Sequence, residues 1–217
     1  MEILIKGIRS GFCVAIILIA TAAGAAGAAP GNLARQVLAE TNLARTQPAR
    51  YAGYLRDMRP LFIGKAYRLP GSVAMVMTSE GVAALDEAIG YLSKQAPLPP
   101  LAWSQGLAEA AADLVRDQGQ TGQVGHEGGR SGGMQARIER HGTWTGRIAE
   151  NIGYGPGTAR LMVIELIVDD GVPGRGHRKN TFTRAFSVAG AACGPHPLYR
   201  HMCVMDFATQ YKTRSKR

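Results

Sequence analysis

Four short stretches concentrate side chains able to bind metals or move protons: Gly125-His126-Glu127-Gly128-Gly129, Ala149-Glu150-Asn151-Ile152-Gly153, Asp169-Asp170 and Gly174-Arg175-Gly176-His177-Arg178-Lys179-Asn180. Most are flanked by glycine, which lets the backbone turn sharply and side chains from separate elements converge. A neutral imidazole is a good ligand for zinc or another divalent metal, and a nearby carboxylate either completes the shell or fixes the other ring nitrogen in one tautomer. His126 and His177, from different loops, suit that role. The competing reading is that both are hydrogen-bonded to Glu150 and the acidic pair, and hold loops together without a metal. Glu150 works as a general base only if burial raises its pKa with no cation beside it, and Arg147, Arg175 and Arg178 are close in sequence. Asn151 reads as a turn former. Of the other histidines, His141 is placed at a helix end, His196 in a hairpin turn and His201 at an exposed strand end. Gly129-Arg130-Ser131-Gly132-Gly133 matches the hydrolase elbow, and the order Ser131, Asp169, His177 matches that of an α/β-hydrolase triad. An elbow needs a buried strand before its serine, and a polar glycine-rich loop stands there instead.

The elements that must position these groups follow from apolar spacing. Leu33, Val37, Leu38, Thr41 and Ala44 recur at helical intervals from Asn32, and Pro48 marks a break before a short amphipathic piece through Leu55. Residues 58–78 have no clear period and read as a loop or insertion. Ser79 is the expected N-cap of a helix carrying Val82, Leu85, Ile89 and Leu92. A helix follows Ser104 and is expected to end by Gly119. The glycine-rich stretch from Gly119 to Gly133, holding His126, reads as a mobile loop. Met134–His141 is a short helix closed by Gly142, and another begins at Thr158 and ends at Asp169-Asp170-Gly171.

Residues 1–28 have a charged start with Lys6 and Arg9, an apolar run from Phe12 to Ile19 and a small-residue stretch, the pattern of a cleaved secretory signal peptide. An uncleaved anchor is the alternative. About 189 residues then remain, enough for one domain with a substantial core, placed at 32–209, and too few for two comfortable ones. The formal charge of +9 favours anionic surfaces over neutral ones. Nucleic acid is not expected, because no zinc-finger or RNA-binding motif appears. Lys212, Arg214, Lys216 and Arg217 form a short basic tail, 210–217. Cys193 and Cys203 are left as a pair in a chain bound for an oxidising compartment, secreted or periplasmic. Read as antiparallel strands around Gly194-Pro195-His196-Pro197, their segments place the thiols across a hairpin within reach of a disulfide; two reduced core cysteines are the alternative.

The ordered series formed by a helix near Leu107, the loop histidine His126, Ala-Glu-Asn-Ile at 149–152, Asp-Asp-Gly-Val-Pro at 169–173, Arg-Gly-His-Arg-Lys-Asn at 175–180 and the closing Cys-Gly-Pro-His…Met-Cys-Val-Met-Asp-Phe-Ala resembles the CAP superfamily of cysteine-rich secretory, antigen 5 and pathogenesis-related 1 proteins, including its bacterial branch. The likeness covers roughly 98–208, with 32–55 similar to the family's first helix. It implies an α+β fold, a three-layer α-β-α sandwich with a small antiparallel sheet, and a cleft holding two histidines and two acidic groups. His126 and His177 look like the histidines and Glu150 like the glutamate of the family's Gly-Glu-Asn-Ile motif, here with Ala149 in place of the glycine. For the fourth place the chain offers Glu165, Asp169 and Asp170 without the tryptophan many relatives have; Asp169, near a helix end and a short loop from His177, is favoured. The implied functions are binding of a divalent metal such as zinc with a small apolar or lipid-like ligand, or metal-assisted hydrolysis by a peptidase or esterase using the same cluster. No catalytic residue is assigned, and the fold alone does not decide between them.

Overall fold

The computed structural model describes residues 30–215, so the segment 1–28, expected to be a signal peptide, lies outside the described residues. Pro48 cannot continue a helix but fits the first turn of one, so the N-terminal helical stretch divides into α1 (Pro30–Thr46) and α2 (Pro48–Met58). The aperiodic segment that follows is structured: a 3-10 turn (Arg59–Leu61) leads into β1 (Phe62–Ile63), β2 (Ala66–Tyr67) and β3 (Val76–Met77), an antiparallel three-stranded sheet. Its inward row carries Tyr67, buried and donating to Glu165 at 3.1 Å. α3 (Val82–Lys94) starts after Gly81, not Ser79, whose N–H goes to the Asp170 carboxylate instead.

β4 (Ala102–Trp103) precedes α4 (Gln105–Thr121), where Ser104 accepts from the Leu107 N–H as N-cap. α4 passes the expected stop at Gly119 and ends on Gly122, whose φ of 74° is the left-handed C-cap conformation. Gly119 is inside the helix for packing, since a Cβ there would stand 2.9 Å from the Pro195 carbonyl oxygen. α5 (Met134–His141) leads directly into β5 (Gly142–Tyr154), α6 (Ala159–Val168), α7 (Gly176–Thr181), β6 (Val188–His196) and β7 (Arg200–Thr213). The long strand β5 replaces the glycine-flanked turn expected around Glu150. The hairpin turn falls at 197–199, so His196 ends a strand and is buried. Residues 210–213, expected in a basic tail, pair with β5 from Gly142 to Thr145.

The main sheet runs β4-β6-β7-β5, parallel only between β4 and β6. Alternation along β7 divides the core. Met202, Val204 and Ala208 pack with Leu107, Leu114 and Ile138 of α4 and α5 on one face, while Cys203, Met205 and Phe207 join α1, α2, α3 and α6 on the other. The result is the three-layer α-β-α sandwich the family likeness implies. α4 lies directly on Gly190 of β6, where an added Cβ would come within 2.1 Å of the Ala108 nitrogen. Cys193 and Cys203 face each other in register across β6 and β7 and are disulfide-bonded.

Candidate functional site

β5 is an edge strand of the main sheet, and the site wraps that edge from both helical layers. Glu150 points towards α5 and is buried. Its Oε1 accepts from His126 Nδ1 at 2.8 Å and its Oε2 from Arg137 at 2.6 Å. Facing a carboxylate, Nδ1 carries the His126 proton, which leaves Nε2 free for a ligand. The hydrogen bond to Glu150 raises the His126 pKa, against a smaller opposing effect of burial.

Arg137 is the unforeseen member. It is fully buried on α5 and donates also to the His126 carbonyl at 3.1 Å and to that of Gly132, so one guanidinium clamps the loop to the strand. The cation beside Glu150 is therefore Arg137; Arg147 is exposed, and Arg175 and Arg178 pair with Glu80 and Glu87. Beneath the pair, Asp206 of β7 stands opposite Glu150 in register and is fully buried. Burial pushes its carboxyl pKa well above the ordinary value, and Glu150 adds to that.

The loop before α5 is glycine-rich but anchored. Asp117 accepts from the N–H groups of Arg130 and Ser131 at 2.8 Å each, Gln118 donates to the Gly125 carbonyl at 2.7 Å, and the Tyr154 hydroxyl accepts from the Gly125 N–H at 2.9 Å. Ser131 is buried against Asp117 in a loop anchor with no preceding strand. The hydrolase elbow is absent.

On the other side of β5, Asp169 terminates α6 in the left-handed conformation (φ 56°). Its carboxylate then accepts from the His177 backbone N–H at 2.8 Å and from His177 Nδ1 at 2.6 Å. Of the three acidic candidates only Asp169 meets the histidine. Asp170 accepts from the N–H groups of Ser79 and Glu80, and Glu165 bonds Tyr67. Asn151 lies in β5 rather than a turn and donates to the His177 carbonyl at 3.0 Å and to Thr181. Asn180 donates to Asn151 Oδ1 at 3.0 Å and to the Glu150 carbonyl at 3.3 Å, joining the two halves. Of the remaining histidines, His141 ends α5 and bonds Asp113 at 2.8 Å, and His201 is exposed at the start of β7.

The two histidine rings stand with centroids 6.5 Å apart and planes 33° from parallel. That separation is at the outer limit of what two metal bonds of ~2.1 Å can bridge. Among the described residues no three His, Cys, Asp or Glu side chains converge as a metal cluster. A cavity of about 470 Å³ opens beside His126, lined also by Met134, Ala136, Ala149, Glu150 and Asn180. A larger one, about 690 Å³, lies by Arg175, Arg178 and Tyr91, but Glu80 and Glu87 already neutralise its guanidinium groups.

The family model described as the cysteine-rich secretory protein family, CAP, matches residues 38–207. This chain belongs to the CAP family. No curated protein matches it. Among solved structures the CAP chain is similar to an extracellular protein containing an SCP domain from Bacillus anthracis, with 21% identity and a TM-score of 0.42 over 52% of this chain and 35% of that chain. It is also similar to an outer surface protein from Borrelia burgdorferi, with 14% identity and a TM-score of 0.43 over 51% of this chain and 78% of that one. The match thus spans about a third of the Bacillus anthracis protein.

Proposed function

We propose that this CAP domain is an extracytoplasmic binding protein whose cleft takes a divalent metal such as zinc on His126 and His177, together with a small apolar or lipid-like ligand. One observation carries the reading: each imidazole gives Nδ1 to a buried carboxylate, Glu150 or Asp169. This orients the ring and raises its basicity as a ligand while its Nε2 stays available. With two protein ligands, water or a bound ligand completes the shell. The methionine and alanine side chains of the cavity beside His126 supply apolar contact. The N-terminal segment and the disulfide support export.

The hydrolase reading is the weaker one. Glu150 is held by Arg137 and His126, and Asp169 by the turn into α7, so each carboxylate already has the partners that a general base would have to give up.

Zinc titration by calorimetry at neutral pH tests the proposal. The wild-type chain is expected to bind one zinc, and His126→Ala or His177→Ala to weaken it at least about tenfold. Absence of zinc binding in the wild type, or equal binding by both variants, overturns it.

A further inference from the structure

The small sheet between α2 and α3 exposes apolar side chains on both of its edge strands. In a sheet with one packed face the outward side is ordinarily polar. Here the middle strand is buried on both sides, Ala66 and Tyr67 alike, but the edge strands expose Ile63 at 67%, Val76 at 37% and Met77 at 74%. The loop into β3 adds Val73, 98% exposed, and Met75, 40%. Most of the exposed large apolar side chains among the described residues fall in this one insertion, and such clustering marks an interaction surface.

The charge around it is one-sided. From Arg59 to Ser79 the sequence holds no Asp or Glu. Arg59 is neutralised by Asp86 from α3, whereas Lys65, at the tip of the β1–β2 hairpin, and Arg68 are exposed and form no ion pair among the described residues. Of the acidic groups around the insertion, Glu165 is bonded by Tyr67 beneath the sheet, Glu80 pairs with Arg175 and Asp170 accepts from backbone N–H groups, while Asp57 is exposed on α2. Apolar side chains flanked by unpaired cations, on a chain of formal charge +9, complement an interface of acyl chains beneath anionic headgroups.

We propose that the β1–β3 insertion docks the protein on an anionic phospholipid bilayer, with Ile63, Val73, Met75 and Met77 entering the interface and Lys65 and Arg68 binding headgroup phosphates. The proposal is independent of the histidine cleft. No described helix is long and apolar enough to cross a membrane, and the insertion provides a peripheral attachment. Each cation contributes about fivefold in partitioning, and burial of two of the apolar side chains about 100-fold or more.

Co-sedimentation of the full chain with large vesicles tests this, with a chelator present throughout. Wild type is expected to bind vesicles containing phosphatidylglycerol, to bind pure phosphatidylcholine vesicles about 30-fold less well, and to be released by salt. The charge-preserving variant Val73→Ser/Met77→Gln is expected to lose about 100-fold, and Lys65→Gln/Arg68→Gln about 30-fold. Lys212→Gln/Arg214→Gln, which removes two charges elsewhere, and His126→Ala are expected to bind within about twofold of wild type, because neither touches the insertion. No binding by the wild type overturns the proposal. So does equal loss on removing Lys212 and Arg214, or full binding by the Val73/Met77 variant, either of which makes bulk charge sufficient. A dimer that sedimentation velocity finds in the wild type and not in the Val73/Met77 variant assigns the face to a second copy instead.

Discussion

Arg137→Met is the perturbation that most directly probes how the cleft is held. The guanidinium is wholly buried, as is the Glu150 carboxylate it meets at 2.6 Å. Removing one member of such a pair leaves an uncompensated buried charge and costs about 3–5 kcal/mol. The same side chain also holds the carbonyls of His126 and Gly132, so the upper end of that range is expected. In a chain of this size each kcal/mol lowers the melting temperature by about 2–4 °C, giving a drop of about 6–20 °C. Glu150→Gln produces the converse defect, a buried guanidinium without its anion. Arg137→Met/Glu150→Gln buries no net charge and is expected to lose less than the sum of the single losses by about 2 kcal/mol. Urea unfolding of the four proteins at neutral pH closes the cycle. Losses that add within about 0.5 kcal/mol would refute the argument that Arg137 and Glu150 act as a unit.

Two further outcomes follow from buried groups elsewhere. Burial pushes the Glu165 pKa up to about 7, against a smaller lowering by the Tyr67 hydroxyl. A raised folded-state pKa contributes stability that is fully present below the unfolded value near 4.5 and is lost as pH rises through 7, a swing of about 3 kcal/mol; Glu165→Gln should flatten that part of the stability–pH profile, and an unchanged slope would count against the assignment. The disulfide closes a loop with a sequence separation of 10, which in the chain-entropy treatment contributes about 3 kcal/mol. Cys193→Ala/Cys203→Ala is therefore expected to melt about 6–12 °C lower, and a shift under about 2 °C would show that the hairpin is already closed without the bond.

The sequence is most legible where one residue type has one physical use. The break at Pro48, the helix that follows Ser104 and the Met134–His141 helix closed by Gly142 are read correctly because a proline, a serine at a helix start and a closing glycine act locally. The pairing of Cys193 with Cys203 is legible for the same reason. β5 is missed because glycine and alanine around Glu150 look like a turn, when their small size admits neighbouring chains: a Cβ on Gly153 would meet Met162 at 2.2 Å. The sheet at 62–77 is missed because strands of two residues have no period to detect. His126, Glu150 and His177 are recognisable by type and by their place in the family series; Asn180 and Asp206 lie within motifs of that series but with no role to read, and Arg137 gives no sign in the chain. An arginine on a short polar helix reads as solvated, and only the tertiary fold carries it into the interior beside Glu150.

The bare backbone of Gly190 has a reach beyond its own strand. α4 lies on it with no room for a methyl group, and the far end of α4 carries Asp117 and Gln118, the two side chains that tether the His126 segment. Even alanine at 190 would press on α4 at Leu107 and Ala108, and any shift of the helix is passed through Asp117 and Gln118 to the segment that carries His126. A missing side chain on β6 thus lets α4 sit where its far end can hold one wall of the cleft.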